Sequence, residues 1–183
     1  KTSGNIDLGT SYGWLRQEVR DGNEAIKGVY DYIRISHPLF EMEKQLDIVH
    51  QEIDANVDDL DEQMKAVHKY SDLEEKFRGL GGYGINYEEE KMAHGVGIDD
   101  EMLLNEIDSL SGGQRRKVEL AKLLLKGGEV LILDEPTNHL DKEAKKFVME
   151  FLSNTEAGVL VVSHDIKLMD SALTRVIALV DGR

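Results

Sequence analysis

Residues Leu110–Asp141 read LSGGQRRKVELAKLLLKGGEVLILDEPTNHLD, and this stretch sets the fold class. Ser111 followed three residues later by Gln114 is a capping box, the signature of a helix start. The spacing predicts a helix over Ser111–Lys126 that ends at Gly127-Gly128, a C-terminal cap. Val130–Leu133 follows as a short apolar strand, closed by the adjacent carboxylates Asp134 and Glu135. Working outward, Asp141 is placed to cap a helix whose core face is Phe147, Val148, Phe151 and Leu152. Val159–Val162 reads as a strand, Asp165 opens a short helix, and Arg175–Val180 reads as a last strand. Apolar runs separated by helices predict an α/β chain with a parallel sheet buried on both faces.

Composition narrows the class. The 183 residues suit one domain with a buried core; they are 40% hydrophobic and 32% charged, ordinary values for a globular protein. A net charge of −14 argues against general affinity for nucleic-acid phosphates, though not against a local basic contact. The absence of cysteine removes disulfides and thiolate metal sites. Apolar runs such as VLIL and VLVV are far shorter than the roughly 18 residues of a membrane span. KTSGNIDLG lacks an apolar signal core. The expectation is a cytoplasmic protein without membrane insertion.

Upstream, Asn5–Leu8 and Tyr12–Arg16 read as strands flanking Gly9-Thr10-Ser11. Asp21-Gly22-Asn23 offers a helix start, followed by Ile26, Val29, Tyr30 and Ile33 at helical spacing. Leu39, Met42, Leu46, Val49 and Ile53 form a heptad seam, and Leu60, Met64 and Val67 continue it after the break Asn56–Asp59. A helical hairpin is expected. Between Pro38 and Leu80 there are 12 acidic and 5 basic residues, read as a solvated acidic face. Gly79–Gly84 matches G-x-G-x-x-G, but a helical pattern precedes it where a dinucleotide site needs a strand, so it reads as a joint. Another helix is expected over Tyr87–His94. No internal repeat is visible.

The chemistry lies in the motifs. In an open α/β sheet, ligands sit beyond the carboxyl ends of the strands. Asp134 is therefore placed to hold a magnesium ion, and Glu135 to act as general base or to orient a water for attack on a phosphate. Gly112 and Gly113 each cost a helix roughly 1 kcal/mol against alanine. They make sense where something must approach the backbone closely, and exposed amides at a helix start bind anions. Arg115, Arg116 and Lys117 oppose the helix dipole unless an anion neutralises them. His164, after the strand Val159–Val162, reaches the same edge of the sheet if that strand is parallel. His139 is assigned turn geometry; His37, His50, His68 and His94 read as polar surface positions. Gln17, at the end of the strand Tyr12–Arg16, is a candidate to reach the same metal or water.

On these residues the chain resembles an ATP-binding cassette (ABC) ATPase, specifically the ABC-F class, which lacks membrane domains. Leu110–Gln114 resembles the family signature, Val130–Glu135 the Walker B strand with its catalytic Glu, and Leu140-Asp141 the D-loop. Ser163-His164-Asp165 resembles the switch-histidine motif and Trp14–Glu18 the Q-loop. Asn138-His139-Leu140-Asp141 points to ABC-F rather than to transporters. Lys117 stands where the family usually has Arg.

The resemblance implies a P-loop NTPase fold of the ABC type with an inserted α-helical subdomain. The expected division is 1–22 as remaining core strands and Q-loop, 23–110 as the helical subdomain with a short arm hairpin, and 111–183 as signature helix and C-terminal core. It implies ATP and Mg²⁺, with Glu135 and His164 catalytic. Gln17, Ser111, Gly112, Gly113, Gln114 and Asp141 would bind ATP, and Asp134 and Gln17 would bind the metal. The family's phosphate loop stands upstream of a stretch like Ser3–Ile6; Lys1-Thr2 is a poor match to its end, because a strand follows where a helix is required. The expectation is thus a fragment cut at both ends, inactive alone. A second cassette in the parent chain, and the ribosome and tRNA through the parent, are the implied partners, although an acidic hairpin speaks against an RNA-binding arm. Two rivals are the nucleotide-binding subunit of an ABC transporter and a degraded, non-enzymatic cassette.

Overall fold

A computed structural model describes residues 10–15 and 26–178. The expected strand Asn5–Leu8, Gln17 and the helix start at Asp21–Asn23 lie outside the described residues.

Three strands form a parallel sheet in the order β1 (Tyr12–Leu15), β2 (Val130–Asp134), β3 (Gly158–Val162). Tyr12 aligns with Val130, and Asp134 with Val162. The carboxyl ends of β2 and β3 therefore meet at one edge, as the motif reading requires. Gly13 in β1 sits against α6: a Cβ there would lie 2.6 Å from the Leu123 side chain, which would have to shift.

Between β1 and β2 the chain builds a helical layer from α1 (Val29–Arg34), α2 (Phe40–Ala55), α3 (Leu60–Gly79), α4 (Ile85–Gly95) and the single turn α5 (Asp100–Leu103). It then enters α6 (Gly112–Lys126). After β2 come α7 (Lys142–Asn154) and, after β3, α8 (Ile166–Ala172). Leu15, Leu131 and Leu133 share one core with Leu120, Leu123 and Leu124 of α6, Val148 and Leu152 of α7 and Leu168 of α8. At about 25 cal/mol per Å² of apolar surface buried, this is the main term holding helices to sheet. No helix among the described residues is long and apolar enough to cross a membrane.

Several expectations change. The sheet is not buried on both faces: Tyr12, Trp14, Leu160 and Val162 are exposed, because the described helices join the core on the other face. Among the described residues 174–178 are irregular rather than a strand, with no neighbouring strand to pair with. Among the described residues the first helix begins at Val29, and Ile26 lies ahead of it outside any helix; the expected start at Asp21–Asn23 lies outside the described residues. Lys27 and Gly28 run extended against Glu106, with Ile107 N–H donating to the Lys27 carbonyl at 2.8 Å.

The hairpin forms, but the α3 seam is shifted. Leu60, Met64 and Val67 are 70%, 54% and 46% exposed, whereas Ala66 and Phe77 are buried and Tyr70 and Leu73 pack against the cluster that holds Phe77. Phe77 joins Leu46 and Ile85 in a small core at the hairpin base, and that anchor fixes the rotation of α3. His37 is buried, not a surface residue: its Nδ1 accepts from Leu39 N–H at 3.1 Å and its Nε2 lies 3.3 Å from Glu88. Beside it Glu89, 1% exposed, accepts from the Tyr30 hydroxyl at 2.8 Å. Burial pushes the Glu89 carboxyl above its usual range although Tyr30 and Arg34 pull it down, and burial with Glu89 pushes the Tyr30 hydroxyl up to about 12.

Candidate functional site

The apolar run Val130–Leu133 forces β2 into the sheet centre, and its polar end emerges at the edge. The side-chain oxygens of Asp134 make no hydrogen bond among the described residues. Glu135 sits in the left-handed backbone region, φ +48°, and its N–H donates to the Val162 carbonyl at 2.8 Å. Its carboxylate, 19% exposed, has two neighbours. His164 Nδ1 lies 2.8 Å from Oε1, and Ser163 Oγ donates to Oε2 at 3.3 Å. Parallel pairing of β2 and β3 thus brings Glu135 and His164 together. Ser163 was part of the motif but not of the expected site residues.

Behind this edge Thr137 is buried next to Asp165. Burial alone pushes the Asp165 carboxyl up. The Leu168 N–H, Lys145, Thr137 and the Lys167 N–H outweigh it and hold the group below its ordinary range. Asp165 therefore caps α8 as an anion and fixes the loop that carries His164.

At the start of α6 both halves of the capping box are present: Ser111 Oγ accepts from Gln114 N–H at 3.3 Å, and Gln114 Oε1 from Ser111 N–H at 2.9 Å. Neither Gly112 nor Gly113 has a positive φ, so backbone conformation does not demand glycine. A Cβ on Gly112 would meet nothing within 4 Å, and one on Gly113 would meet only His139, at 3.5 Å. What the two glycines provide is bare backbone at a helix start. His139, φ +64°, supplies the turn expected of it and lies against this loop. Asp141 caps α7 by accepting from Ala144 N–H at 2.9 Å. No hydrogen bond joins Ser111, Gly112, Gly113 or Gln114 to Glu135 or His164 among the described residues.

The cations of α6 behave differently from expectation. They do not wait for an external anion. Arg115 pairs with Asp108 at 3.0 Å, Arg116 donates to the Asp134 carbonyl, and Lys117 donates to the Gly97 carbonyl at 3.0 Å. Among the described residues, two backbone carbonyls and the Asp108 carboxylate are partners of these cations. Gln17, expected near the metal, lies outside the described residues. Among the described residues no three His, Asp or Glu side chains converge on a point. Among the described residues the donor set at the edge is Asp134, whose side chain makes no hydrogen bond, beside the carboxylate of Glu135. It fits Mg²⁺, which keeps waters and takes one or two carboxylates together with substrate phosphates.

The family model described as "ABC transporter" matches residues 17–138. The ABC transporter ATP-binding protein YfmM of Bacillus subtilis is 34% identical over 82% of this chain, which spans 29% of its length. The energy-dependent translational throttle protein EttA of Escherichia coli K12 is 38% identical over 54% of the chain and 18% of its own. The chain thus spans less than a third of the curated relatives it matches. Among solved structures, the archaeal ribosome recycling factor aABCE1 in complex with stalk protein aP1 is similar with a TM-score of 0.53, at 21% identity over 93% of this chain and 25% of that one. That likeness concerns the fold. With the signature-like loop at the head of α6 and the carboxylate edge of β2 both inside or beside the matched span, the chain belongs to the ABC transporter family, as part of an ATP-binding cassette.

Proposed function

We propose that the chain is the signature-and-Walker-B part of an ABC-F ATPase with two cassettes, acting on the ribosome during translation. The observation that carries the hydrolytic reading is Glu135, held at the sheet edge by His164 and Ser163 beside an unengaged Asp134. Glu135 orients a water and accepts its proton as the water oxygen bonds the γ-phosphorus; the bond to the β–γ bridging oxygen breaks and ADP leaves. His164 holds Glu135 and reaches the terminal phosphate. Asp134, with Gln17, would hold Mg²⁺, which when bound neutralises phosphate charge. Ser111, Gly112, Gly113 and Gln114 offer amides and a hydroxyl to the ATP of the facing cassette, and Asp141 lines that interface.

The ABC-F assignment is supported by the Asn138–Asp141 sequence and by the similarity to EttA, whose name places it in translation. The acidic hairpin disfavours direct contact with tRNA through this segment. The name of YfmM favours a second reading, the ATP-binding subunit of a transporter. The deciding experiment is sucrose-gradient sedimentation of the full-length Glu135→Gln protein with ATP and Mg²⁺. Co-migration with ribosomes supports the first reading. Co-purification with a membrane protein, and none with ribosomes, supports the second.

A further inference from the structure

One peptide group, the link between Asp134 and Glu135, is gripped from two sides. Its N–H donates to the Val162 carbonyl of β3 at 2.8 Å. Its carbonyl accepts from Nη2 of Arg116, in the second turn of α6. Immediately beyond it Glu135 holds φ +48°, a conformation that costs a non-glycine residue on the order of 1 kcal/mol or more. A flip of this peptide would relieve that φ without moving either neighbouring Cα far. It would also change the backbone from which the Glu135 rotamer reaches His164 and Ser163. The native orientation therefore needs a restraint on both ends of the peptide.

Arg116 is an expensive way to supply it. The residue is 7% exposed, and its Nη1 has no hydrogen-bond partner among the described residues. Burial pulls the guanidinium below its usual range, against the attraction of Asp134 and Glu119. An apolar side chain of similar volume at this buried helical position would avoid that desolvation. Packing alone does not explain an arginine here.

We propose that Arg116 is a positioning residue: by holding the Asp134 carbonyl it keeps the peptide before Glu135 in its strained orientation and so aims the Glu135 carboxylate. Arg116 stands one helical turn after Gly113. A shift of α6 on ligand contact at its N-terminus is therefore felt directly at the peptide that carries Glu135. The inference rests on the proposed role of Glu135, but its primary readouts do not require turnover.

The test uses Arg116→Met, Arg116→Lys and Glu135→Gly, with Glu135→Ala as the spectral reference. In ¹⁵N-histidine spectra of the chain, Arg116→Met is expected to move the His164 ring signals as Glu135→Ala does, while His50, His68 and His94 stay in place. Arg116→Lys, which retains a donor, is expected to keep His164 near its native position. In a double-mutant cycle, Arg116→Met is expected to cost less stability in the Glu135→Gly background, where glycine carries no penalty at positive φ. If Arg116→Met alone does not fold, recovery in that background is the expected result. In the full-length protein kcat should fall about tenfold or more with KM for ATP nearly unchanged. Unmoved His164 signals, a uniform shift of all histidines, or additive stabilities would overturn the proposal. Unaltered turnover in Glu135→Gln, with the spectral and stability results as expected, would instead overturn the hydrolytic reading alone.

Discussion

Nδ1 of His164 lies 2.8 Å from Oε1 of Glu135, a contact that exists because β2 and β3 run parallel and end together. Glu135 is mostly enclosed while the His164 side chain is 80% exposed. The carboxylate is thus the fixed member of the pair, and the imidazole faces the space a ligand would enter. In the full-length protein Glu135→Gln should retain ATP binding and lose turnover by about 10²–10⁴-fold, the range of a positioned general base. Phosphate release and equilibrium nucleotide binding, measured on one preparation, check this. Wild-type turnover would remove Glu135 from the mechanism.

His164→Ala should cost less. Ser163 still donates to Glu135 at 3.3 Å, so the carboxylate remains held from one side. We expect a kcat between those of wild type and Glu135→Gln. A loss greater than that of Glu135→Gln would mean that the imidazole, not the carboxylate, moves the proton.

Gly113→Asp separates folding from ligand contact. The first added atom meets His139 at an ordinary 3.5 Å, and a carboxylate in the first turn suits the helix dipole by about 0.3–1 kcal/mol. The melting temperature should be unchanged or slightly raised. The same charge repels a phosphate at the amides, so ATP-driven closure of the cassettes should fail. A distance probe across the two cassettes of the full-length protein reads closure. Normal closure would show that this loop does not face the nucleotide.

Glu89 gives a pH dependence whose sign is fixed. Its folded-state pKa is raised by burial, so the folded chain binds that proton more tightly than the unfolded one. Its contribution to stability then declines as pH rises from the ordinary glutamate range to the raised value. Tyr30, Arg34, His37 and Glu43 surround the group, and of these Tyr30, Arg34 and His37 limit the rise. Glu89→Gln should flatten the fall in melting temperature over that window. An unchanged profile from pH 4 upward would place the titrating group elsewhere.

Much of this site was legible because its determinants are local. The capping box at Ser111 and Gln114, the apolar strand before Asp134, and the turn residue His139 each follow from neighbours within a few positions. The hairpin was legible as an element but not in rotation. Leu60, Met64 and Val67 are the obvious apolar choices, yet α3 is fixed by Phe77 at its far end, whose partners Leu46 and Ile85 lie on the preceding helix and beyond the following turn. Arg116 carried a signal that charge obscured. It stands four residues before Leu120 and seven before Leu123, both buried, so helical phase alone places it inward. Its acceptor, a backbone carbonyl 18 residues away, has no sequence signature.

The pairing of Tyr12 with Val130 has a kinetic consequence. β1 waits for 118 residues before β2 exists, while α2 and α3 close on each other across a four-residue turn. Loop-closure entropy grows with the logarithm of length, and non-local strand pairing is slow. The hairpin is therefore complete early in synthesis, when β1 still has an open edge. A chain stalled before Val130 leaves the side of β1 that β2 takes open to other chains, and that side is covered only when β2 docks there.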